Sequence, residues 1–385
     1  MQGLPYSDYI HPSGAAQEAA AIFAPSWQFV CHVSDLPAPG TAARFDCAGL
    51  SAVVLRTRTG ELQAFRNACR HRGARLVEGD AHTGLAFCVD GRLRCPYHGW
   101  TYDETGALTA VPPGQRFDAD FDPSRHSLAP VHVAQWRGLV FVAFDPPRQA
   151  LSAALHGVAE DGPDFAPARR LIEPRSTVCA ADWKLAVEHL LDTAHAGVAR
   201  PGFRWSVFAP PAFEPVTDAA LHARATLAEA SANEAWSARA SRALLQGVAS
   251  RASPAGFVML WPNTLLQYAA DGLAVLQVLP VATGLCTYRE SRYGLPDASR
   301  EMRLLRYLHR RVRRQAVQAD ARLLAKVQQG MASGLEAGPI AANEAGLRWF
   351  ATQYREHLPS APAAPSRKAP ARRASRPRKP VNVSG

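Results

Sequence analysis

The sequence predicts an α+β protein of two domains, the first built of antiparallel strands and the second of strands and helices. Its 385 residues exceed the roughly 100–200 residues of one typical domain. Residues 26–145 read as short strands separated by turns, and two prolines after Asp145 favour a break between domains. We therefore predict a first domain over 25–147 and a second over 148–358, with residues 1–24 packing on the second.

Two patterns predict strands in the first domain. The apolar-rich runs Leu50–Thr57 and Leu62–Phe65 flank Thr59-Gly60, a pair of residues that favours a hairpin turn. Gly138–Phe144 is a run of apolar and β-branched residues that ends just before the two prolines. Each run is short enough for a strand, which is typical of a small β domain.

The second domain mixes helical and strand patterns. Asp182–His195 is predicted as a helix, because it is leucine-rich and no glycine or proline occurs before Gly197. Residues 256–293 suit a series of antiparallel strands. Glu301–Gln329 suits a long helix, which we expect Gly330 to end.

Basic residues are concentrated at two places. The formal net charge is +10, but residues 359–385 hold seven Lys and Arg and no acidic residue. This tail is rich in Pro, Ala and Ser, so we predict that it is disordered and that it binds no specific nucleic acid. Six arginines lie between Arg303 and Arg314. They favour either a solvated helix face or a docking site for an acidic redox partner.

Composition also argues against several classes of protein. The sequence has no run of 18 apolar residues, so we expect no transmembrane helix and no membrane partner. The N-terminal sequence lacks the pattern of a signal peptide. Seven cysteines, an odd number scattered along the chain, argue against a disulfide framework. We therefore predict a cytoplasmic protein in which some cysteines serve metal or redox chemistry.

The strongest local signal is a pair of Cys–His motifs. Cys69 is followed by His71 after one residue, and Cys95 is followed by His98 after two. Two cysteines and two histidines can hold a [2Fe–2S] cluster, with both thiolates on one iron and both imidazoles on the other. The short spacings suit two hairpin tips that enclose the cluster.

The alternative for these four residues is a zinc site of the Cys2His2 kind. Zinc fingers usually pair like with like, in C-x2-C and H-x3-5-H motifs, and the alternation of Cys and His fits that pattern poorly. Gly73 and Gly99 stand just after the two motifs, where they allow the backbone to turn tightly beside a cluster.

The two motifs resemble those of the Rieske non-haem iron oxygenases, in particular their large (alpha) subunits. The resemblance rests on CRHRGARLVEGD (69–80) and CPYHGWTYDETG (95–106). It implies a small antiparallel β Rieske [2Fe-2S] domain plus a larger antiparallel-sheet-and-helix catalytic domain. One departure is that 23 residues separate His71 from Cys95, several more than usual. We interpret the excess, around 82–92, as a loop insertion that contains Cys88.

The resemblance also implies a mononuclear Fe(II) in the second domain, held by two histidines and one carboxylate with open positions for O2. His195 matches the first histidine, and Asp320, in the segment 319–333, matches the carboxylate. Asp192 matches a carboxylate that links the cluster of one subunit to the iron of the next in the family's trimers. The second histidine does not match, because its position is occupied by Arg200.

Arginine does not lose its proton in proteins and cannot ligate iron, so three hypotheses remain open. In the first, His189 replaces the missing ligand, and His189, His195 and Asp320 hold the iron. Residues 189 and 195 would not share a face of an ideal helix, so this site requires a distortion.

In the second hypothesis the mononuclear site is empty. The chain would then be an electron-carrying or structural partner of an intact alpha subunit in a mixed trimer. In the third, iron binds through His195, Asp320 and waters, or through a histidine that the resemblance does not align, and the enzyme works weakly or on different chemistry. Arg200 would then bind an anionic substrate through its guanidinium.

The activity that the resemblance implies is oxygenation with O2: hydroxylation, cis-dihydroxylation or oxidative demethylation of a small organic substrate. Electrons would come from a separate NAD(P)H-dependent reductase or ferredoxin, because the chain has neither a Rossmann glycine motif nor a ferredoxin cysteine run. A homotrimer or a mixed trimer is expected. Residues 256–290 are more similar to the subgroup that acts on small aromatic acids and quaternary amines than to the naphthalene type. The substrate pocket is expected to include Phe203, Trp205, Phe208 and residues near Trp261.

Overall fold

The fold follows from a computed structural model that describes most of the chain. The described residues are 2–11, 14–80, 84–88, 91–158, 164–192, 209, 211–226, 236–249, 255–296 and 299–358. The basic tail, 359–385, lies outside them, so its predicted disorder stays a prediction. The predicted α+β class is confirmed: antiparallel sheets come first, and a larger sheet with helices follows.

The first part of the chain forms small antiparallel sheets. Its described strands are β1 (Gln28–His32), β2 (Thr41–Cys47), β3 (Leu50–Arg56), β4 (Leu62–Arg66), β5 (Leu85–Phe87), β6 (Leu93–Arg94), β7 (Thr101–Tyr102), β8 (Leu108–Ala110), β9 (His132–Trp136) and β10 (Leu139–Ala143). They are arranged in the orders β4-β3-β2-β5, β1-β10-β9 and β6-β7-β8.

The two strand predictions for this domain are confirmed. Strands β3 and β4 form the expected hairpin, in which the Gly60 amide donates to the Thr57 carbonyl at 3.0 Å. Gly60 has φ +87°, a left-handed conformation that glycine adopts without strain. The run that was expected to form a strand before the two prolines is β10, which is buried along its whole length.

The segment after the first Cys–His motif is only partly a loop, so the prediction of a loop insertion there is wrong in part. Residues 85–87 form β5, which adds to the edge of β2. The Cys88 amide then donates to the Gly40 carbonyl at 2.7 Å, and the Cys88 side chain is buried. Backbone pairing with β2 therefore holds this segment against the first domain, which sequence periodicity over three residues could not reveal.

The second domain is built on one large antiparallel sheet. Its described strands are β11 (Arg169–Cys179), β12 (Glu214–Thr217), β13 (Ala220–Arg224), β14 (Gly256–Leu260), β15 (Thr264–Ala269), β16 (Gly272–Ala282) and β17 (Leu285–Gly294). Their order is β11-β17-β16-β15-β14-β13-β12. The strands predicted over 256–293 are therefore confirmed as β14 to β17, joined in sequence order.

Helices lie at the N-terminus and around the second sheet. The described α-helices are α1 (Ser7–Ile10), α2 (Ala15–Glu18), α3 (Leu151–Ala154), α4 (Trp183–Leu191), α5 (Trp236–Ala249), α6 (Arg300–Met331) and α7 (Ala345–His357). Among the residues that the structure describes, no helix is both long and apolar enough to cross a membrane.

The two faces of the large sheet have different neighbours. On one face, Val275 and Tyr293 pack with Phe29 and Phe141 of the first domain in one buried apolar cluster. On the other face, Tyr288 belongs to the cluster that includes residues of α4 and α6. The part of the sheet around Tyr288 therefore packs against α4 and α6, so a site between the sheet and these helices belongs to the second domain.

Helix α4 is shorter than predicted. It begins after Asp182, whose side chain accepts a hydrogen bond from the Lys184 amide at 3.0 Å and caps the helix. It ends at Leu191, because Asp192 has φ −78° and ψ 114°, which is extended rather than helical backbone. The predicted continuation as a helix as far as His195 is therefore wrong at Asp192.

Helix α6 is longer than predicted at both ends. It begins at Arg300, where the Ser299 side chain accepts from the Met302 amide at 3.2 Å. The prediction that Gly330 ends the helix is wrong, because Gly330 lies inside it and Met331 is its last residue. The left-handed glycine after this helix is Gly334, with φ +79°. One glycine inside a helix costs only about 1 kcal/mol, which the packing of a long helix can offset.

A buried ionic network joins the N-terminal segment to α4. The Lys184 ammonium lies 2.6 Å from Glu18 and 2.7 Å from Asp182, and its side chain is 1% exposed. One turn further along, the Tyr9 hydroxyl donates to the Glu188 carboxylate at 2.8 Å. Burial raises the pKa of Glu188 to about 7. The N-terminal segment therefore fixes the position of α4 through charged and hydrogen-bonded groups rather than apolar contacts alone.

A second buried ionic contact joins the two domains. Asp35, just after β1, lies 2.6 Å from the Arg170 guanidinium on β11. The Tyr293 hydroxyl on β17 donates to the same carboxylate at 2.8 Å. Asp35 thus receives donors from two adjacent strands of the large sheet, which fixes the first domain against that sheet.

Candidate iron centres

Each Cys–His motif forms a tight loop with the same backbone pattern. The Gly73 amide donates to the Cys69 carbonyl at 2.8 Å, and the Gly99 amide donates to the Cys95 carbonyl at 3.0 Å. The two glycines have φ +73° and +74°. Both loops therefore turn back four residues after their cysteine through a left-handed glycine, as the sequence suggested.

The loops bring the four predicted ligands together, with the two cysteines next to each other and the two histidines next to each other. The thiols of Cys69 and Cys95 are buried and hydrogen-bonded to each other. The imidazole rings of His71 and His98 have centroids 4.7 Å apart. The pairing fits a cluster in which two thiolates bind one iron and two imidazoles bind the other.

The free ring nitrogens of the two histidines point to a ligand. In the described part of the chain, the Nδ1 atoms of His71 and His98 are buried and have no hydrogen-bond partner. Buried polar atoms without a partner are rare because they cost free energy. Burial and the nearby His98 also lower the pKa of His71, which favours the neutral imidazole that binds metals. These residues therefore fit a two-iron cluster.

Three other side chains surround the cluster loops. The Tyr102 hydroxyl lies 3.3 Å from the Cys69 sulfur, and the ring is fully buried. Trp100 stacks on His71, with centroids 4.8 Å apart and planes 5° from parallel. The Trp100 indole N–H donates to Gln115 at 2.9 Å, and the Gln115 amide donates to the His98 carbonyl at 3.1 Å. Gln115 therefore connects the ring packed on one histidine ligand to the backbone of the other.

The second candidate centre is formed by two helices. His189 on α4 and Asp320 on α6 are 131 positions apart in the sequence, yet His189 Nε2 lies 2.9 Å from Asp320 Oδ1. Both residues are buried, at 9% and 7% exposure. Among the described residues, no third His, Cys, Asp or Glu joins them in a geometry that could hold a metal ion.

Several predicted site residues lie outside the described residues. They are His195, Arg200, Phe203, Trp205 and Phe208. Asp192, the predicted bridge between subunits, is described and lies directly after α4, where its amide donates to the Glu188 carbonyl at 2.7 Å. Trp261 is buried beside Trp349 and Phe350.

Two family models match this chain, one on each side of the predicted domain break. Residues 26–131 match the Rieske [2Fe-2S] domain. Residues 165–360, more than half of the chain, match the ring hydroxylating alpha subunit (catalytic domain). The chain belongs to the ring-hydroxylating oxygenase alpha-subunit family. Its first domain is thus a Rieske domain, which excludes the zinc alternative, and its catalytic domain is of the mononuclear iron type.

Curated members of this alpha-subunit family are similar to the chain over part of their length. The carnitine monooxygenase oxygenase subunit of Escherichia coli K12 is 31% identical over 245 residues, which cover 57% of this chain and 64% of that protein. The anthranilate 1,2-dioxygenase large subunit of Burkholderia cepacia is 30% identical over 204 residues, covering 51% of this chain and 47% of that protein. The chain thus matches less than two thirds of the length of either relative.

A solved structure is similar over nearly the whole alpha subunit. A quaternary ammonium Rieske monooxygenase bound to an inhibitor has a TM-score of 0.73 at 22% identity, and the match covers 93% of this chain and 94% of that one. At this identity the likeness concerns the fold alone. It confirms the predicted arrangement of a Rieske domain beside a sheet-and-helix catalytic domain.

The end of α4 changes the geometry expected for the mononuclear site of this alpha subunit. Residues 189 and 195 are six positions apart, so on one continuous helix their side chains would lie on different faces and could not both ligate the iron. Because Asp192 already has extended backbone, the two residues do not lie on one continuous helix. The helical-face argument against that ligand set therefore does not apply.

Sequence reasoning missed the residues around the cluster. Trp100 and Tyr102 lie inside the segment 95–106 that supported the resemblance. No spacing rule, however, predicts that their side chains contact the cluster ligands. Gln115 follows Trp100 by 15 residues and carries no local signal. Its contacts depend on how the segment after β8 folds back over the cluster loops.

Proposed function

We propose that this chain is the alpha subunit of a Rieske oxygenase that hydroxylates or demethylates a small organic substrate with O2. Electrons would arrive from a separate NAD(P)H-dependent reductase or ferredoxin and pass through a [2Fe-2S] cluster to a mononuclear Fe(II). The similarity to the carnitine and anthranilate enzymes supports a small substrate of that kind. The relevant observation is the short distance between His189 and Asp320, a buried histidine and a buried carboxylate of the family's ligand types on two separate helices.

The residues have distinct roles in this proposal. Cys69 and Cys95 would bind one iron of the cluster, and His71 and His98 the other. Tyr102 would donate a hydrogen bond to the Cys69 sulfur and so stabilise the extra charge of the reduced cluster.

In the catalytic domain, His189, His195 and Asp320 would hold the mononuclear iron, which supplies O2 activation when bound. Asp192 would orient a histidine of the cluster in a neighbouring subunit, as carboxylates next to metal ligands commonly do. This role requires a homotrimer or a mixed trimer. The position of Asp192 at the end of the helix that carries His189 supports it.

Three further assignments belong to the proposal. The domain limits 25–147 and 148–358 are supported by the family matches, and the packing of residues 1–24 on the second domain by the contacts of Glu18 and Tyr9 with α4. A cytoplasmic location is supported by the seven cysteines, which are buried and free.

A second candidate function follows from Arg200. A guanidinium at the position of the second histidine favours a degenerate mononuclear site. The chain would then carry electrons to the iron of an intact alpha subunit in a mixed trimer. It would have a full Rieske cluster and no activity of its own.

Iron content separates the two candidates. The protein is purified anaerobically, total iron per chain is measured, and the reduced cluster is counted by electron paramagnetic resonance. Three irons per chain with one cluster support the oxygenase, whereas two irons with one cluster support the electron-carrying partner.

A His189→Ala variant then tests the ligand set. We expect iron to fall from three to two per chain while the cluster signal stays, because His189 would be removed from the mononuclear site alone. His222→Ala is the matched control, since His222 lies on β13 and hydrogen-bonds to Tyr268. Three irons in both variants would show that His189 is not a ligand.

A further inference from the structure

We propose that Arg175 on β11 and Arg314 on α6 form a subsite that binds the anionic group of the substrate. The inference rests on the proposed function, because it places this subsite next to the proposed mononuclear iron. It names the substrate class as a small molecule with a carboxylate or sulfonate at one end. The reacting part would lie at the other end.

The two arginines face a recess between the large sheet and α6. The recess is lined by Arg175, Thr177, Leu276, Tyr288, Glu290, Arg314 and Val317. The strand residues share one face of the sheet, because Thr177 pairs with Tyr288 while Arg175 and Leu276 both pair with Glu290. The recess is therefore lined by apolar side chains, by two guanidinium groups and by the Glu290 carboxylate.

The lining of this recess is connected to both elements of the proposed iron site. The Tyr288 hydroxyl donates to the Ala186 carbonyl at 3.3 Å, three residues before His189 on α4. Val317 stands three residues before Asp320 on α6. Three residues of helix span about 4.5 Å, so this part of the lining lies about one helical turn from each proposed ligand.

The spacing along α6 suits a small molecule. Arg314 precedes Asp320 by six residues, which is about 9 Å along the helix axis. Carnitine and anthranilate each carry a carboxylate at one end of a molecule of about this size or smaller. Six residues turn an ideal helix through about 600°, so Arg314 and Asp320 lie about 120° apart around α6, with Val317 between them. A carboxylate bound at Arg314 would place the remaining atoms over Val317, on the side of α6 next to Asp320.

The charges around the recess favour an anion. Among the described residues, Arg175 and Arg314 form no ion pair, whereas Glu290 is bound by the Arg313 guanidinium at 3.1 Å. Both unpaired arginines are exposed, so an incoming carboxylate can reach them without breaking an existing ion pair. A guanidinium binds a carboxylate or sulfonate through two parallel hydrogen bonds, which gives orientation as well as affinity.

The arginine-rich stretch of α6 thereby divides into groups with different roles. Arg306 donates to the Asp271 and Leu295 carbonyls, and Arg313 binds Glu290. These two are half-buried and hold α6 on the sheet. Arg311 is exposed and does not line the recess, so it has the charge of Arg314 without its position.

The test compares the double variant Arg175→Gln, Arg314→Gln with the control Arg311→Gln in the anaerobic, iron-loaded full chain. Isothermal titration calorimetry measures the Kd of carnitine and of anthranilate. Choline and anthranilamide, which lack the carboxylate, serve as matched ligands. Glutamine keeps the length and hydrogen bonding of the side chain but removes the charge. Thermal unfolding and the cluster absorption verify that each variant is folded.

We expect the double variant to weaken binding of the better anionic ligand by roughly 10–100-fold, since a hydrogen bond to a charged group contributes about 1.5–3 kcal/mol. The control variant should bind as the unchanged protein does. Choline and anthranilamide should bind weakly to all three proteins. Equal affinity in the double variant and the control would overturn the subsite, and so would an unchanged protein that binds neither anion.

An Arg200→Gln variant distinguishes this subsite from the alternative in which Arg200 binds the anion. A loss of affinity confined to Arg200→Gln would contradict the assignment to Arg175 and Arg314.

Because binding is measured without turnover, the subsite and the proposed function can fail separately. If anion binding depends on Arg175 and Arg314 but the protein has no oxygenase activity, the subsite is supported and the proposed function is rejected. If the protein takes up O2 in response to substrate but the double variant binds the anion with unchanged affinity, the proposed function is supported and the subsite is rejected.

Discussion

The cluster loops close through backbone hydrogen bonds within five residues, whereas His189 and Asp320 come from two helices that meet only in the folded catalytic domain. In the loops, the amides of Gly73 and Gly99 return to the carbonyls of their own cysteines. The helix pair depends on buried contacts with the N-terminal segment and the sheet. The cluster site is therefore specified by local sequence, whereas the His189–Asp320 site is specified by tertiary packing. Substitutions should affect the two sites in different ways.

The largest effect is expected from removing the ammonium that fixes α4. Lys184→Ala leaves Glu18 and Asp182 as buried carboxylates without their cation, which typically costs about 3–5 kcal/mol. We expect a lower urea midpoint and loss of the mononuclear iron at moderate urea. Lys326→Ala, on the exposed surface of α6, is the control and should unfold like the unchanged protein. If Lys184→Ala has the same midpoint as this control, the network does not hold α4.

A smaller and more local effect is expected at the cluster loops. A Cβ at Gly99 would lie 2.8 Å from Pro112 Cγ, whereas a Cβ at Gly73 meets nothing within 4 Å. Both glycines are left-handed, so each alanine costs about 1–2 kcal/mol in backbone strain. Gly99→Ala adds a steric clash.

We therefore expect Gly99→Ala to lose more cluster than Gly73→Ala, measured as the signal of the reduced cluster per chain. Neither variant should change the amount of mononuclear iron per chain relative to the unchanged protein. Equal cluster loss in the two variants would mean that backbone strain, and not the contact with Pro112, causes the loss of cluster.

The smallest effect is expected from one hydroxyl. Tyr102→Phe removes the hydrogen bond to the Cys69 sulfur, and a hydrogen bond contributes about 0.5–1.5 kcal/mol. Since about 1.4 kcal/mol corresponds to 59 mV for one electron, the cluster potential should fall by roughly 20–60 mV. Spectroelectrochemical titration measures the potential, and Tyr97→Phe, on an exposed ring beside His98, is the control. A potential equal to that of the control would exclude a role for this hydroxyl.

The sequence predicted most of the Rieske domain because its signals are local. Residues 50–66 formed the predicted hairpin, and the two Cys–His motifs formed the predicted loops. Strand β5 was not predicted, since three residues that pair with a distant strand show no periodicity of their own.

The catalytic domain was predicted less completely, because its site depends on long-range contacts. The resemblance placed Asp320, and one of the three hypotheses put His189 beside it, but no pattern in the sequence decided among the three. The extended backbone at Asp192 and the helical conformation of Gly330 both differ from the helix ends that the sequence predicted. The network of Lys184 with Glu18 joins residues 166 positions apart, which no local spacing rule can detect.

The junction at Asp35 fixes the Rieske domain against the large sheet of the same chain. With Arg170 and Tyr293 both bound to its buried carboxylate, the Rieske domain cannot swing toward a donor without breaking a buried ion pair. The domain therefore acts as a stationary relay rather than as a mobile carrier arm. In the proposed function, a donor protein would have to come to the cluster, because this ion pair holds the cluster at a fixed place against the second domain of its own chain.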